Sequence, residues 1–250
     1  MAGHSKWANI KHRKAAQDAK RSKIFTKLIK EITVATKEKG DDPETNPRLR
    51  LAIQNAKGAN MPKDTIERAI QKGSGADGTH YEEVTYEGYA PHGVAVYVEA
   101  STDNTNRTVA SVRSIFNKAE GSLSTSGSLD FLFDRKGIFM VELAEDTDHD
   151  ELLLELADAG AEDVDFDQES NMAEITCEME DFGNVQKKVE ELELNVKSAN
   201  LERIPTTTKA LDDEAFQQVM RVIDKLEDDD DVNKVYHNLE ISEEQMALMD

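Results

Sequence analysis

One cysteine, Cys177, stands in 250 residues. That excludes an intrachain disulfide and any multi-cysteine zinc or iron–sulfur centre. No apolar run approaches the ~18–20 residues that cross a bilayer. The opening residues, Met1 to Trp7, carry no apolar stretch after their charges, so no secretory signal is expected. The phosphate loop GxxxxGK[ST], the dinucleotide fingerprint GxGxxG and the zinc motif HExxH are all missing. Six histidines (His4, His12, His80, His92, His149 and His237) are scattered without a pattern. Cys177 falls in an alternating apolar segment and reads as a packing residue, not a nucleophile. With no catalytic constellation in view, the expectation is a cytoplasmic non-enzyme without cofactor or metal. Hydrophobic residues still make up 38%, enough for folded domains.

Charge is what the chain has in excess, and it is unevenly placed. The formal net charge is −21. Residues 1–75 nevertheless carry 17 Lys and Arg against 8 Asp and Glu, whereas residues 76–250 carry 13 against 43. Within residues 1–30 there are 9 basic side chains and a single acid, Asp18. An asymmetry of this size points to a dedicated polyanion-binding segment. Because screening extends only ~8 Å at physiological salt, an acidic body a domain's width away does not cancel that segment's field.

Periodicity divides the chain. Ala15 to Lys39 reads as a helix whose apolar stripe is Ile24, Phe25, Leu28, Ile29 and Ile32. A second helix starts at the capping pair Asn46-Pro47, buries Leu49, Ala52, Ile53 and Ala56, and is closed by Gly58. A third begins near Pro62, buries Ile66, Ala69 and Ile70, and stops at Gly73-Ser74-Gly75. Beyond residue 81 the period shortens to two. Strands are expected around Val84–Tyr86, Val94–Val98, Leu129–Phe133 and Val232–Leu239, with helices over Thr105–Lys118 and Asp212–Leu226. Residues 137–205 read β-α-β-β-α-β, the order of a ferredoxin-like split βαβ unit. The fold class expected is α+β in three domains. These are a basic helical domain over 1–78, a discontinuous α+β domain over 79–136 plus 206–250, and the inserted ferredoxin-like domain over 137–205.

The segment Gly3-His4-Ser5-Lys6-Trp7-Ala8-Asn9-Ile10-Lys11-His12-Arg13-Lys14 resembles the start of the YebC family. The likeness continues at Lys23-Ile24-Phe25-Thr26-Lys27 and Asn46-Pro47-Arg48-Leu49-Arg50. It returns at Tyr86-Glu87-Gly88-Tyr89, at Thr102-Asp103-Asn104-Thr105-Asn106-Arg107-Thr108, and at Asp230-Asp231-Val232 and Val235-Tyr236-His237-Asn238. It implies a helical domain, an α+β domain and a ferredoxin-like insertion, and a cytoplasmic regulator of gene expression without known catalysis. Family members are described as DNA-binding transcriptional regulators; others, a mitochondrial relative among them, act in translation at the ribosome. The family usually shows small and glycine residues after the Tyr89 position. Here Ala90-Pro91-His92-Gly93 follows, and the resemblance assigns His92 no role.

The candidate nucleic-acid contacts are Lys6, Trp7, Lys11, Arg13, Lys14, Lys20, Arg21, Lys23, Lys27 and Lys30. Each cation can neutralise a phosphate and release a counterion. Arg13 and Arg21 have the bidentate geometry that reads guanine edges. Trp7 can stack on an unpaired base, a mode that suits RNA. Against this stands a bland alternative, a solvated basic helix face with Trp7 as a plug. At Asp103 to Arg107 a helix cap is expected, with Arg107 able to pair with an acid inside the fold. Glu227 to Asp231 reads as a solvated turn. Asp163, Asp165, Asp167, Glu169, Asn171 and Glu174 match calcium-loop spacing, but Gln168 occupies the position that needs glycine. Three readings follow. The first is a DNA-binding transcriptional regulator working with the transcription machinery. The second is a translation factor on ribosomal or transfer RNA at the ribosome. The third is an acidic protein–protein adaptor. The acidic body weakly disfavours self-association, so a monomer is expected.

Overall fold

The computed structural model describes residues 17–75, 81–167 and 170–247. The protein is α+β, with two antiparallel sheets and, among the described residues, eight α-helices. Contacts group the chain into two compact units. One takes in Met1–Lys27, Thr79–Asp134 and Pro205–Asp250; the other takes in Leu28–Gly78 and Arg135–Ile204. No helix among the described residues is long and apolar enough to cross a membrane.

The second unit combines helices from the basic part of the chain with the βαββαβ module. Helix α1 (Gln17–Lys39) enters it at Leu28, followed by α2 (Pro47–Gly58) and α3 (Lys63–Ser74). Buried Asn46 ties the first two helices together. Its Oδ1 accepts from Leu49 N–H at 3.1 Å, and its Nδ2 donates to the carbonyls of Ala35 and Gly40 at 2.8 Å each. One amide therefore caps the start of α2 and satisfies orphan carbonyls near the end of α1. Of the apolar stripe expected on α1, Ile32 is fully buried; Ile24, Phe25, Leu28 and Ile29 are half-buried.

The module itself runs β4 (Phe133–Glu142), α5 (His149–Asp158), β5 (Ala161–Asp167), β6 (Met172–Glu178), α6 (Phe182–Glu191) and β7 (Asn195–Pro205), in sheet order β5-β6-β4-β7. This is the split βαβ order. Its core joins Phe139, Val141, Leu156, Ile175, Cys177 and Val185. Asp163 and Asp165 are ladder residues of β5 paired with β6.

The edge strand β7 is covered by α2. The Asn55 side chain donates to Ala199 O at 2.9 Å and accepts from Ala199 N–H at 2.8 Å, supplying the pair of bonds a further strand would make. Gly58 was expected to close α2 and is its last residue, with Ala59 as the cap. The reason for glycine is long-range. A Cβ at position 58 would sit 2.0 Å from the Lys197 carbonyl oxygen, so only a bare backbone allows the helix to meet the strand. Gly58→Ala is expected to destabilise this unit by roughly 1–3 kcal/mol, as overpacking does, read as a lower denaturation midpoint.

The first unit is built on the sheet β3-β1-β2-β8, formed by β1 (Glu82–Ala90), β2 (Val94–Thr102), β3 (Ser122–Leu123) and β8 (Val232–His237). Helices α4 (Thr105–Lys118) and α7 (Asp213–Glu227) contribute Val112, Phe116, Phe216, Val219 and Val222 to one core, together with Val96 and Val98. Neither β3 nor the short helix α8 (Glu243–Ala247) stands out in the sequence. The β1–β2 hairpin turns at His92 and Gly93, both with positive φ (61° and 72°), and His92 Nε2 lies 3.0 Å from Gln218 Oε1. A second core lies around Ala95, Tyr97, Leu129, Phe133 and Tyr236.

Leu129–Phe133, expected as a strand, is a 3-10 turn over Asp130–Leu132 leading into β4. Its geometry is imposed by Glu87. That carboxylate is 2% exposed and accepts from the Gly127 and Leu129 N–H groups, each at 2.6 Å. The turn lets Leu129 and Phe133 both reach the core, which strict alternation would also have allowed; the sequence does not separate the two geometries.

Candidate nucleic-acid interface

Lys6, Trp7, Lys11, Arg13 and Lys14 lie outside the described residues. Lys20 and Arg21 fall on α1. The three remaining candidates have well-defined surroundings, and they differ. Lys23 Nζ meets Asp228 Oδ1 at 2.5 Å, with both side chains largely exposed. Lys27 Nζ donates to the Glu227 main-chain carbonyl at 3.2 Å. Lys30 is buried, 9% exposed.

The partners of Lys23 and Lys27 sit where α7 ends, with Asp228 as its C-cap. A helix C-terminus presents unsatisfied carbonyls and a partial negative charge, and cations gather there. The acidic run that follows is therefore more than a solvated turn. Asp229 accepts from Ser111 Oγ of α4 at 2.5 Å and from Asp231 N–H at 3.0 Å. Asp231, 8% exposed, accepts from Arg107 through Nε at 3.2 Å and Nη2 at 2.7 Å, and from Thr108 Oγ1 at 2.8 Å. Arg107 also pairs with Asp103 at 2.9 Å. Asn104 caps α4 by accepting from Arg107 N–H at 3.0 Å, and the Asn104 N–H donates to Thr102 Oγ1 at 3.0 Å.

The electrostatics follow this geometry. Burial disfavours the Asp231 carboxylate, but the bonds from Arg107 and Thr108 outweigh it and hold the group below its ordinary value. The bonds to Asp231 and Asp103 raise Arg107 in turn. Burial, with Asp231 and Asp229 nearby, pushes the Tyr86 phenol up. Two segments far apart in the sequence, Thr102–Ser111 and Glu227–Asp231, are thus locked together. The same five-residue run binds α1 on one side and α4 on the other, all within the first unit.

No group of three or more His, Cys, Asp or Glu among the described residues is placed to hold a metal ion. Cys177 is buried in the ferredoxin-like core, and its thiol is pushed up to about 11, chiefly by burial and by Asp181. Such a thiol is almost wholly protonated at neutral pH and is a poor nucleophile.

One feature escapes a reading that looks only for basic runs. Helix α4 carries Arg107, Arg113 and Lys118 and no acid over 14 residues. A count of acids along the acidic part of the chain could have found it.

Comparison with known proteins covers nearly the whole chain. Residues 5–76 match the model described as the TACO1/YebC protein N-terminal domain, and residues 81–239 match the TACO1/YebC second and third domain. A protein of Amoebophilus asiaticus is 57% identical over 239 residues, covering 96% of this chain and 98% of its own. One from Syntrophotalea carbinolica is 54% identical over 248 residues, covering 99% and 98%. Both carry the name "Probable transcriptional regulatory protein". The crystal structure of a conserved hypothetical protein from Aquifex aeolicus superposes with a TM-score of 0.82 at 46% identity, covering 96% of this chain and 98% of that one.

Proposed function

Because the chain belongs to the TACO1/YebC family, we propose that it is a nucleic-acid-binding regulator of gene expression that acts by binding, without catalysis. The observation that carries this reading is the charge split: 9 basic residues and one acid in residues 1–30 of a chain with net charge −21. The names of the relatives favour a role in transcription, and in that reading the target is DNA.

The basic segment engages phosphates through Lys6, Lys11, Arg13, Lys14, Lys20 and Arg21, with Trp7 stacking on an exposed base. Backbone contacts of this kind set register and affinity; base edges set specificity. Lys23 and Lys27 serve a phosphate only by exchanging it for Asp228 and the Glu227 carbonyl. Lys30 is buried, and its contribution is to the packing of the second unit.

A second reading, translation control through ribosomal or transfer RNA, is favoured by Trp7 and by the lack of a base-reading helix signature. Unpaired bases are far more common in structured RNA than in duplex DNA. Crosslinking in cells followed by sequencing of the bound nucleic acid separates the two. Transcriptional control is expected to yield chromosomal DNA, and translational control ribosomal RNA. Recovery of neither above background contradicts the proposal as a whole.

A further inference from the structure

The acid-free face of α4 has no assigned role. Residues 76–250 contain 43 Asp and Glu, about one position in four, yet α4 has none in 14 residues. Its rotation is fixed by Thr108, Val112 and Phe116, which are fully buried. At about 100° per residue, Asn106, Ala110, Arg113 and Asn117 then share one outward stripe, with Ser114 and Lys118 beside it. All but half-buried Ser114 are exposed. Ala110, Arg113, Ser114, Asn117 and Lys118 line a shallow depression of about 450 Å³.

Two contrasts show that this face is unusual within the protein. Many cations of the acidic part are tied to carboxylates: Lys136 to Glu162 and Glu178, Lys188 to Glu155, and Lys197 to Glu142. Among the described residues, neither Arg113 nor Lys118 forms an ion pair. The neighbouring helix α7 also exposes two cations, Arg221 and Lys225, but intersperses them with Asp213, Glu214 and Asp224. Helix α4, unlike α7, carries its cations with no acid in the same helix.

We propose that this face is a second contact for the sugar–phosphate backbone of the same nucleic acid that the basic segment binds. The inference rests on the function proposed above and extends it to a named surface. Arg113 and Lys118 neutralise phosphates, and the Asn106, Ser114 and Asn117 side chains bond phosphate and sugar oxygens. Ala110, at the centre, lets a backbone approach closely. The face has no aromatic or large aliphatic anchor, which a protein partner would need. Its position supports continuity with the basic segment. Asp228 and the Glu227 carbonyl hold Lys23 and Lys27 of α1, while Asp229 and Asp231 hold Ser111 and Arg107 of α4. A single acidic turn thus places the start of the described α1 and the acid-free face within one unit.

The test uses the full chain with Arg113→Glu and Lys118→Glu together. Both residues are exposed, so thermal stability and circular dichroism should stay unchanged. The probes are a short DNA duplex and a short RNA hairpin, followed by fluorescence anisotropy over a salt series. The expected result is roughly tenfold or more weaker binding to the preferred probe, with the log–log salt slope shallower by about 2. The control reverses the same amount of charge on α7, through Arg221→Glu with Lys225→Glu, and should weaken binding much less. An equal loss in the control means general repulsion and overturns the α4 surface. So does unchanged binding in the α4 variant while a basic-segment variant loses it; the function proposed above survives that result. If binding stays intact both in the α4 variant and in the basic-segment variant, the inference and the basic-segment reading fall together.

Discussion

Reversing three charges in the basic segment, Lys11→Glu, Arg13→Glu and Lys14→Glu, should weaken nucleic-acid binding by roughly a hundredfold or more at about 100 mM salt. The log–log salt slope should become shallower by about 3, one counterion per lost phosphate contact. The three residues stand in a stretch of 30 with a single acid, so no neighbouring carboxylate already neutralises them in sequence. Position matters more than total charge. The variant moves the net charge from −21 to −27, a modest change for a chain this acidic, yet it removes a third of the cations in the segment. An acidic body screened beyond ~8 Å does not supply the lost contacts. A variant with three Lys→Glu changes at Lys57, Lys63 and Lys72 matches the charge change, and its binding should be nearly normal.

Asp231→Ala should destabilise the first unit strongly, by about 2–4 kcal/mol. Thr108 is completely buried and would lose its carboxylate acceptor, retaining Thr102 Oγ1 at 2.8 Å and the Asn104 carbonyl at 3.1 Å. Arg107 would lose its bidentate partner, although its side chain is 54% exposed and water recovers part of that loss. Hydrogen–deuterium exchange should show lost protection over residues 102–112 and 228–238, with the ferredoxin-like module unaffected. Asp231→Asn retains the shape and should cost less. The pH dependence has a definite sign. Asp231 has its folded-state value depressed, so its stabilisation is fully present above the ordinary aspartate value of about 3.9. It is lost as pH falls through the lower, folded value. The stability gap between the wild type and Asp231→Asn should therefore be constant at neutral pH and close below about pH 4.

Much of the architecture was legible because apolar periodicity and capping chemistry agree locally. Helix α4 falls where Asn104 and the Val112–Phe116 spacing put it, and Asn46-Pro47 marks the start of α2 as a cap and first turn should. The βαββαβ order follows from strand alternation together with two helical stretches, the first stopped by Gly160. What stayed hidden depends on partners distant in the chain. Nothing in Glu227-Asp228-Asp229-Asp230-Asp231 distinguishes Asp231 from Asp230; its burial comes from Arg107 and Thr108, more than 120 residues away. Gly58 does end α2, but the further constraint on it, the Lys197 carbonyl, has no local signal. Leu129 to Phe133 has a spacing compatible with strand or turn, and buried Glu87 selects the turn. For the interface, the cationic content of α1 was plain, but not that Lys23 and Lys27 are already engaged by the end of α7 or that Lys30 is buried.

In the proposed function this acidic protein binds nucleic acid through phosphate contacts made by its basic segment. A titration of the full wild-type chain against a short DNA duplex and a short RNA hairpin, repeated from about 50 to 300 mM salt, tests it most directly. Saturable binding to at least one probe is expected, with affinity falling steeply and linearly on a log–log plot. No binding to either probe at the lowest salt, or an affinity that salt leaves unchanged, would contradict it.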